Sequence, residues 1–155
     1  MKTRSAKLTD IPAIYALAVD AWSKSPFSYI ELDEMKVRRE IHSHIKHESQ
    51  CCFVSVEGGK VVGVIGGQLS MMTMAQAYSA HSSILYGQGG SELLAAYTSW
   101  AVQNGAVLVG LDQSYGKRTE AVTRLTESHG YQYTGGQHIY IPNVTAGANL
   151  NVIAK

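Results

Sequence analysis

The feature that most constrains the fold is a two-residue link between two β-rich runs. Cys51–Glu57 and Lys60–Leu69 are separated only by Gly58 and Gly59. A Gly-Gly link of this length is typical of a tight antiparallel hairpin. We therefore expect a sheet that contains a hairpin in the middle of the chain, an order that does not suit a doubly wound parallel sheet.

Hydrophobic periodicity predicts helices and further strands on both sides of this hairpin. Thr3–Leu8 is expected to form a short strand, and Thr9 and Asp10 to cap an amphipathic helix. A heavily charged second helix over Glu31–Glu48 should lie on the surface. The remaining predicted elements are a strand in the second half of Gln76–Tyr86, a helix over Glu92–Asn104, a strand buried on both faces at Ala106–Leu111, a helix over Lys117–His129, and a second hairpin of Tyr131–Thr134 with Gln137–Ile141.

Length and composition indicate one globular domain. The chain has 155 residues, of which 45% are hydrophobic and 16% charged, so residues 1–142 are expected to form a single domain with a loosely ordered tail at 143–155. A net charge of +1 gives no concentrated field for a nucleic acid. We expect a cytoplasmic protein without a membrane partner, because Met1–Asp10 lacks a signal peptide's apolar core and no apolar run reaches about 18 residues.

The cysteines and the clustered histidines favour packing over chemistry. Cys51 and Cys52 are adjacent, so in a strand they would point to opposite faces and could not form a disulfide with each other. His42, His44 and His47 lie on the charged second helix, where only His44 and His47 could share a face. A solvated face is favoured over a metal site, and no metal is predicted.

A glycine-rich turn from Tyr86 to Ser91 leads directly into the predicted helix over Glu92–Asn104. Free backbone N–H groups and the positive end of a helix dipole meet at such a turn, which favours a phosphate group. Glycines also occur in turns simply to reach unusual dihedral angles, so a plain turn stays open as the alternative. The segment matches neither G-x-G-x-x-G nor the P-loop pattern.

Four segments together resemble the GNAT superfamily of N-acetyltransferases: Ser5–Ile14, Gly63–Gly67, Gly89–Leu94 and Leu125–Tyr131. The resemblance covers nearly the whole chain. It implies an α/β (α+β) fold with a mixed, mostly antiparallel central sheet flanked by helices and splayed around the pantetheine arm of acetyl-CoA.

The resemblance also implies an activity, the transfer of an acetyl group from acetyl-CoA to a primary amine of a small molecule or protein. It places Phe27 and Tyr29 in an acceptor-binding loop, and it allows a homodimer. The cofactor segment would consist of Leu85, Tyr86, Gly87, Gln88, Gly89, Gly90 and Ser91.

The sequence departs from the family where the chemistry usually lies. Ser70–Gly90 contains no Asp or Glu to act as a base, and Thr126 stands where a Tyr acid is frequent. By chemistry and position, His81 could deprotonate an ammonium and Tyr115 could protonate a departing thiolate. The alternative is a non-catalytic binding or structural module of the same fold, such as a viral accessory protein with a degenerate cofactor loop.

Overall fold

The structure is a computed structural model, which describes residues 1–111 and 120–135. No helix in these two ranges is long and apolar enough to cross a membrane. The elements are β1 (Lys2–Ser5), α1 (Ile11–Ser23), α2 (Glu34–Lys46), β2 (Gln50–Glu57), β3 (Lys60–Met71), β4 (Tyr78–Gly87), α3 (Gly90–Gln103), β5 (Ala106–Gly110) and α4 (Glu120–Ser128).

The strands form one sheet in the order β1-β2-β3-β4-β5. The first three pairings are antiparallel and the last, between β4 and β5, is parallel. The hairpin predicted at Gly58 and Gly59 is confirmed, with φ angles of 55° and 80° that glycine adopts without a Cβ clash. The mixed, mostly antiparallel sheet flanked by helices is also confirmed.

Alternating side chains divide the core between the two faces of the sheet. On the α3 face, Ile65 and Ala80 pack against Leu93 and Tyr97 of α3, together with Leu94, and all five are fully buried. The other face, which we name the α1/α2 face, carries a second cluster of Val54 and Val64 with Ile14 and Ile41. The adjacent Cys51 and Cys52 belong to opposite clusters, as predicted.

An ion pair fixes the connection from β1 to α1. A short 3-10 turn, Leu8–Asp10, precedes α1, and Asp10 makes no side-chain bond that caps this helix. Asp10 is the N-cap residue of α1, as predicted, but it does not cap the helix through its side chain. The Asp10 carboxylate instead accepts hydrogen bonds from Arg4, at 2.7 and 2.9 Å, and from the Lys7 N–H at 2.7 Å. The Arg4 guanidinium holds the pKa of Asp10 below its usual range.

Near the end of the chain, one predicted strand is present but lies at the edge of the described sheet, and another, at 131–134, is absent. Ala106–Leu111 was expected to be a central strand buried on both faces, but β5 is the last strand of the described sheet, and Val107 and Leu108 are 70% and 47% exposed. An apolar run does not by itself specify its neighbours, which explains the error. Residues 131–134 form no strand. Residues 137–141, the tail at 143–155 and the start of the predicted helix at 117–119 lie outside the described residues.

Candidate functional site

β4 extends further along the sheet than its parallel neighbour β5. Their parallel pairing begins at Tyr78↔Ala106 and ends at His81↔Gly110, whereas β4 continues to Gly87. We refer to the place where β4 continues beyond the end of β5 as the fork. Beyond His81 the backbone edge of β4 is no longer paired with β5, so an extended ligand with amide groups could pair there as a strand would.

A β-bulge lies on β4 just past the start of the fork. Gly66 pairs with Ile84 and Gly67 with Ser82, so Ser83 is an extra residue without a counterpart on β3. Bulges of this kind redirect a side chain and are frequent beside active sites. Here the bulge directs Ser83 Oγ to within 2.8 Å of His44 Nε2 on α2.

His44 is held in one tautomer by its two neighbours. Its Nδ1 lies 2.8 Å from the Glu40 carbonyl oxygen, and because a carbonyl can only accept, Nδ1 carries the hydrogen. In the neutral ring Nε2 then accepts the hydrogen bond from Ser83. The Ser83 oxygen keeps lone pairs that can accept a further hydrogen bond, and Ser83 itself is exposed.

The prediction that His44 belongs to a solvated helix face is wrong, because the side chain is only 9% exposed. His44 follows Val37 by seven residues and Ile41 by three, which places it beside the apolar stripe of α2. This spacing could have indicated from the sequence that His44 is buried, but the many charged residues of α2 obscured it. Within residues 1–111 and 120–135, no three metal-ligating side chains are grouped to hold an ion.

Ser83 and His44 line a cavity of about 600 Å³ between α1, α2 and the sheet. Its floor includes Val64, Gly66 and Ile84, and α1 contributes Trp22. A Cβ atom on Gly66 would lie 2.8 Å from Ser83 Oγ and 3.3 Å from His44 Cδ2, so glycine leaves the room that this pair occupies. Trp22 Nε1 donates to the Ile30 carbonyl oxygen at 3.0 Å, which fixes the loop after α1 beside the cavity.

Of the predicted acceptor and catalytic residues, the structure describes Phe27, Tyr29 and His81. The rings of Phe27 and Trp22 are 6.2 Å apart and Tyr29 is half exposed, but neither Phe27 nor Tyr29 lines the cavity. His81 is the last β4 residue paired before the fork, with its Nε2 3.0 Å from Ser79 Oγ. Tyr115 lies outside the described residues.

The glycines of the turn are explained by packing within the chain. Gly87 and Gly89 have φ angles of 89° and 77°, and a Cβ would lie 2.3 Å from the Val62 carbonyl oxygen or 2.8 Å from Ser55 Cβ. The Gln88 N–H and carbonyl are bonded to the Val62 carbonyl oxygen and to Ser55 Oγ, so the backbone that remains for a ligand lies at the start of α3. Gly89 is the N-cap residue of α3 and has no side chain to cap the helix, so the first N–H groups of α3 point along the axis towards its N-terminal end without that cap.

Leu85 and Tyr86, at the start of the proposed cofactor segment, point to opposite faces of the sheet. Leu85 packs into the core on the α3 face. Tyr86 lies on the α1/α2 face, where its hydroxyl donates to the Asp20 carboxylate and accepts from Lys24 Nζ at 2.9 Å. Leu85 and Tyr86 therefore cannot contact a ligand from the same side.

Similar solved structures show which fold the chain has. A probable acetyltransferase superposes with a TM-score of 0.69 at 14% identity, covering 94% of this chain and 99% of its own. The chain has the GNAT fold. A predicted acetyltransferase with acetyl-CoA from Clostridium acetobutylicum gives 0.66 at 11% identity, covering 90% and 95%. A transcriptional regulator from Bacillus halodurans gives 0.71 at 18% identity, covering 90% and 99%.

These identities are too low to carry an activity from one protein to another. No protein-family model matches the sequence, and no curated protein matches it either. A similar structure that is called a transcriptional regulator shows why the GNAT fold alone does not fix function. The function has to be argued from the fork, the turn before α3 and the cavity.

Proposed function

We propose that the protein is an acetyltransferase that moves an acetyl group from acetyl-CoA to a primary amine. The observation that carries this proposal is the fork, which has the N-terminus of α3 just past the end of β4 and the Ser83–His44 pair just past the last pairing of β4 with β5. Acetyl-CoA would supply the acetyl group as an activated thioester, and the residues of this chain would bind it and prepare the amine.

On the donor side, the segment Leu85–Ser91 is suited to bind acetyl-CoA through its backbone. The edge of β4 beyond His81 offers pairing groups for the amides of the pantetheine arm. The first-turn N–H groups of α3 and the helix dipole favour the diphosphate. The Gln88 and Ser91 side chains add hydrogen-bonding groups at the same place. The residues present therefore fit the donor.

On the acceptor side, an ammonium must lose a proton before its nitrogen can attack. The Ser83 oxygen can take that proton while its own hydroxyl proton passes to His44 Nε2. The amine is then neutral, and the imidazolium keeps its Nδ1–H bond to the Glu40 carbonyl. His81, beside the fork, is the second proposed proton acceptor. Tyr115 stays the proposed donor to the leaving thiolate on sequence grounds alone.

A non-catalytic module with the same fold is the competing function. It is favoured by one observation, that Ser70–Gly90 carries no Asp or Glu where the family resemblance places a base. Positioning alone can accelerate attack by a neutral amine on a thioester, so this observation does not exclude catalysis. The two functions differ in whether the chain binds acetyl-CoA.

The test is thermal unfolding with and without acetyl-CoA, in the wild type and in Gly90→Asp and Gly90→Asn. A Cβ at Gly90 would meet only the flexible end of Leu125 at 3.0 Å, so both variants should fold. Cofactor at 100 times its dissociation constant should add about 2.7 kcal/mol to the wild type. Gly90→Asp should lose this gain because its carboxylate repels the diphosphate, whereas the isosteric Gly90→Asn should retain most of it.

Two outcomes would count against these assignments. A wild type that shows no shift at millimolar acetyl-CoA would point to the non-catalytic module. Undiminished binding by Gly90→Asp would show that the turn before α3 does not hold the diphosphate.

A further inference from the structure

We propose that the acceptor is a primary amine carried on an apolar body, and that this body occupies the cavity between α1, α2 and the sheet. The proposal rests on the proposed function, because it identifies the second substrate of the same reaction. Three features of the cavity carry it: its apolar walls, the Ser83–His44 pair and the charges that line it.

The size and walls of the cavity suit an apolar molecule. Its volume of about 600 Å³ lies within the range of roughly 300 to 1,000 Å³ that is usual for small-molecule sites. Aliphatic and aromatic side chains form its walls and floor, mainly Ile14, Ala18, Trp22, Val37, Ile41 and Ile84. Burial of each methylene should tighten binding by about three- to fourfold.

The Ser83–His44 pair selects a cation at the polar wall of the cavity. The Ser83 hydroxyl donates its hydrogen to His44 Nε2, so towards the cavity it presents lone pairs that can accept from an ammonium. A carboxylate in the same position would find no hydrogen to accept from Ser83. This pair therefore favours an amine over an acid of the same shape.

The charged residues that line the cavity act in the same direction. They comprise three carboxylates, Glu31, Asp33 and Glu40, and one ammonium, that of Lys36. All four residues are exposed, so their excess negative charge attracts cations and repels anions without a large desolvation cost. An amine without a carboxylate should therefore enter most readily.

The binding test uses the fluorescence of Trp22 and three matched probes. The chain has two tryptophans, and Trp22 lines the cavity whereas Trp100 packs on the α3 face. Hexylamine should change the emission and bind at least about tenfold more tightly than ethylamine, because it buries four more methylenes. Hexanoate, which has the same chain and the opposite charge, should bind at least about tenfold more weakly than hexylamine. Trp22→Phe should abolish the signal.

Two alanines of α1 provide a matched pair of variants. Ala18 lines the cavity, whereas Ala16 is exposed and lies about 200° away around the helix. Ala18→Phe should weaken hexylamine binding at least about tenfold, and Ala16→Phe should change it less than about twofold. Ser83→Ala, at an exposed position, should weaken it about tenfold and serves if Ala18→Phe does not fold.

Acetyl-CoA binding, followed separately by thermal unfolding, distinguishes the possible failures. Acetyl-CoA binding without hexylamine binding overturns this inference and leaves the proposed function standing. Equal binding of hexanoate and hexylamine, or full hexylamine binding by both Ala18→Phe and Ser83→Ala, also overturns it. Hexylamine binding by a chain that does not bind acetyl-CoA removes the acceptor role and overturns both proposals.

Discussion

The two faces of the sheet are packed in opposite ways, although the same strands supply both. On the α3 face, Ile65, Leu93 and Tyr97 are fully buried in a continuous core. On the α1/α2 face, the helices enclose a cavity of about 600 Å³ beside a buried His44. Protein interiors are usually close-packed, so a volume of this size on one face indicates that binding shapes that face, whereas stability shapes the other.

Two consecutive glycines of β3 show how the difference arises. Without a Cβ at Gly67, the Tyr97 ring packs directly on the backbone, because a Cβ there would lie 2.4 Å from the ring. Without a Cβ at Gly66, room is left on the other face for Ser83 and His44. The same residue type therefore completes the core on one face and opens the site on the other.

The largest effect, on the free energy of unfolding, should come from adding a methyl group to each of these glycines in turn. Gly67→Ala would overlap the Tyr97 ring in a core with no space to yield, and should cost about 3 kcal/mol or more. Gly66→Ala would meet the rotatable Ser83 hydroxyl and the edge of the His44 ring and should cost about 1 kcal/mol, but it should weaken hexylamine binding. Urea unfolding measures both costs. Equal losses of stability would show that the two faces are packed alike.

The next largest effect, on kcat, distinguishes the roles of His44 and His81, the two imidazoles near the fork. Gln at position 44 can still accept a hydrogen bond from Ser83 but cannot take its proton. His44→Gln should therefore lower kcat at saturating amine about a hundredfold, whereas His81→Gln should change it less than about threefold. Steady-state kinetics with hexylamine, combined with melting curves of both variants, gives the comparison. If only His81→Gln lost activity, the proton would pass to His81.

Most of the fold could be predicted from the sequence because its signals are local. The Gly58-Gly59 link fixes the hairpin through two positive φ angles, and the apolar period of α3 places Leu93 and Tyr97 on one helix face. Strand neighbours are not local, so the position of β5 at the edge of the described sheet could not be read from its apolar run.

The site was harder to predict than the fold. The bulge at Ser83 depends on register between two strands, and the pairing of Ser83 with His44 joins residues 39 positions apart. Neither the bulge nor this pairing can be recognised from a single sequence. The glycines near Ser91 suggested a ligand, yet Gly87 and Gly89 are needed for packing against the chain's own backbone and side chains.

The smallest effect uses Cys51 and Cys52, which probe the α3 face and the cavity respectively. Burial raises the pKa of both thiols to about 12. The reactive thiolate is therefore scarce at pH 8, and both cysteines should react with iodoacetamide about a thousandfold more slowly than in the unfolded chain.

Burial raises the pKa of both thiols, so protection of one of them by a ligand reports access to the cavity rather than acidity. Cys52 lines the cavity, so a small neutral reagent should reach it several-fold faster than it reaches Cys51 in the packed core. The variants Cys51→Ala and Cys52→Ala each leave one thiol to follow by mass spectrometry. Hexylamine should slow the reaction of Cys52 and leave that of Cys51 unchanged. If Cys52 reacted at the same rate with and without hexylamine, the cavity would be no more accessible to hexylamine than the packed core is.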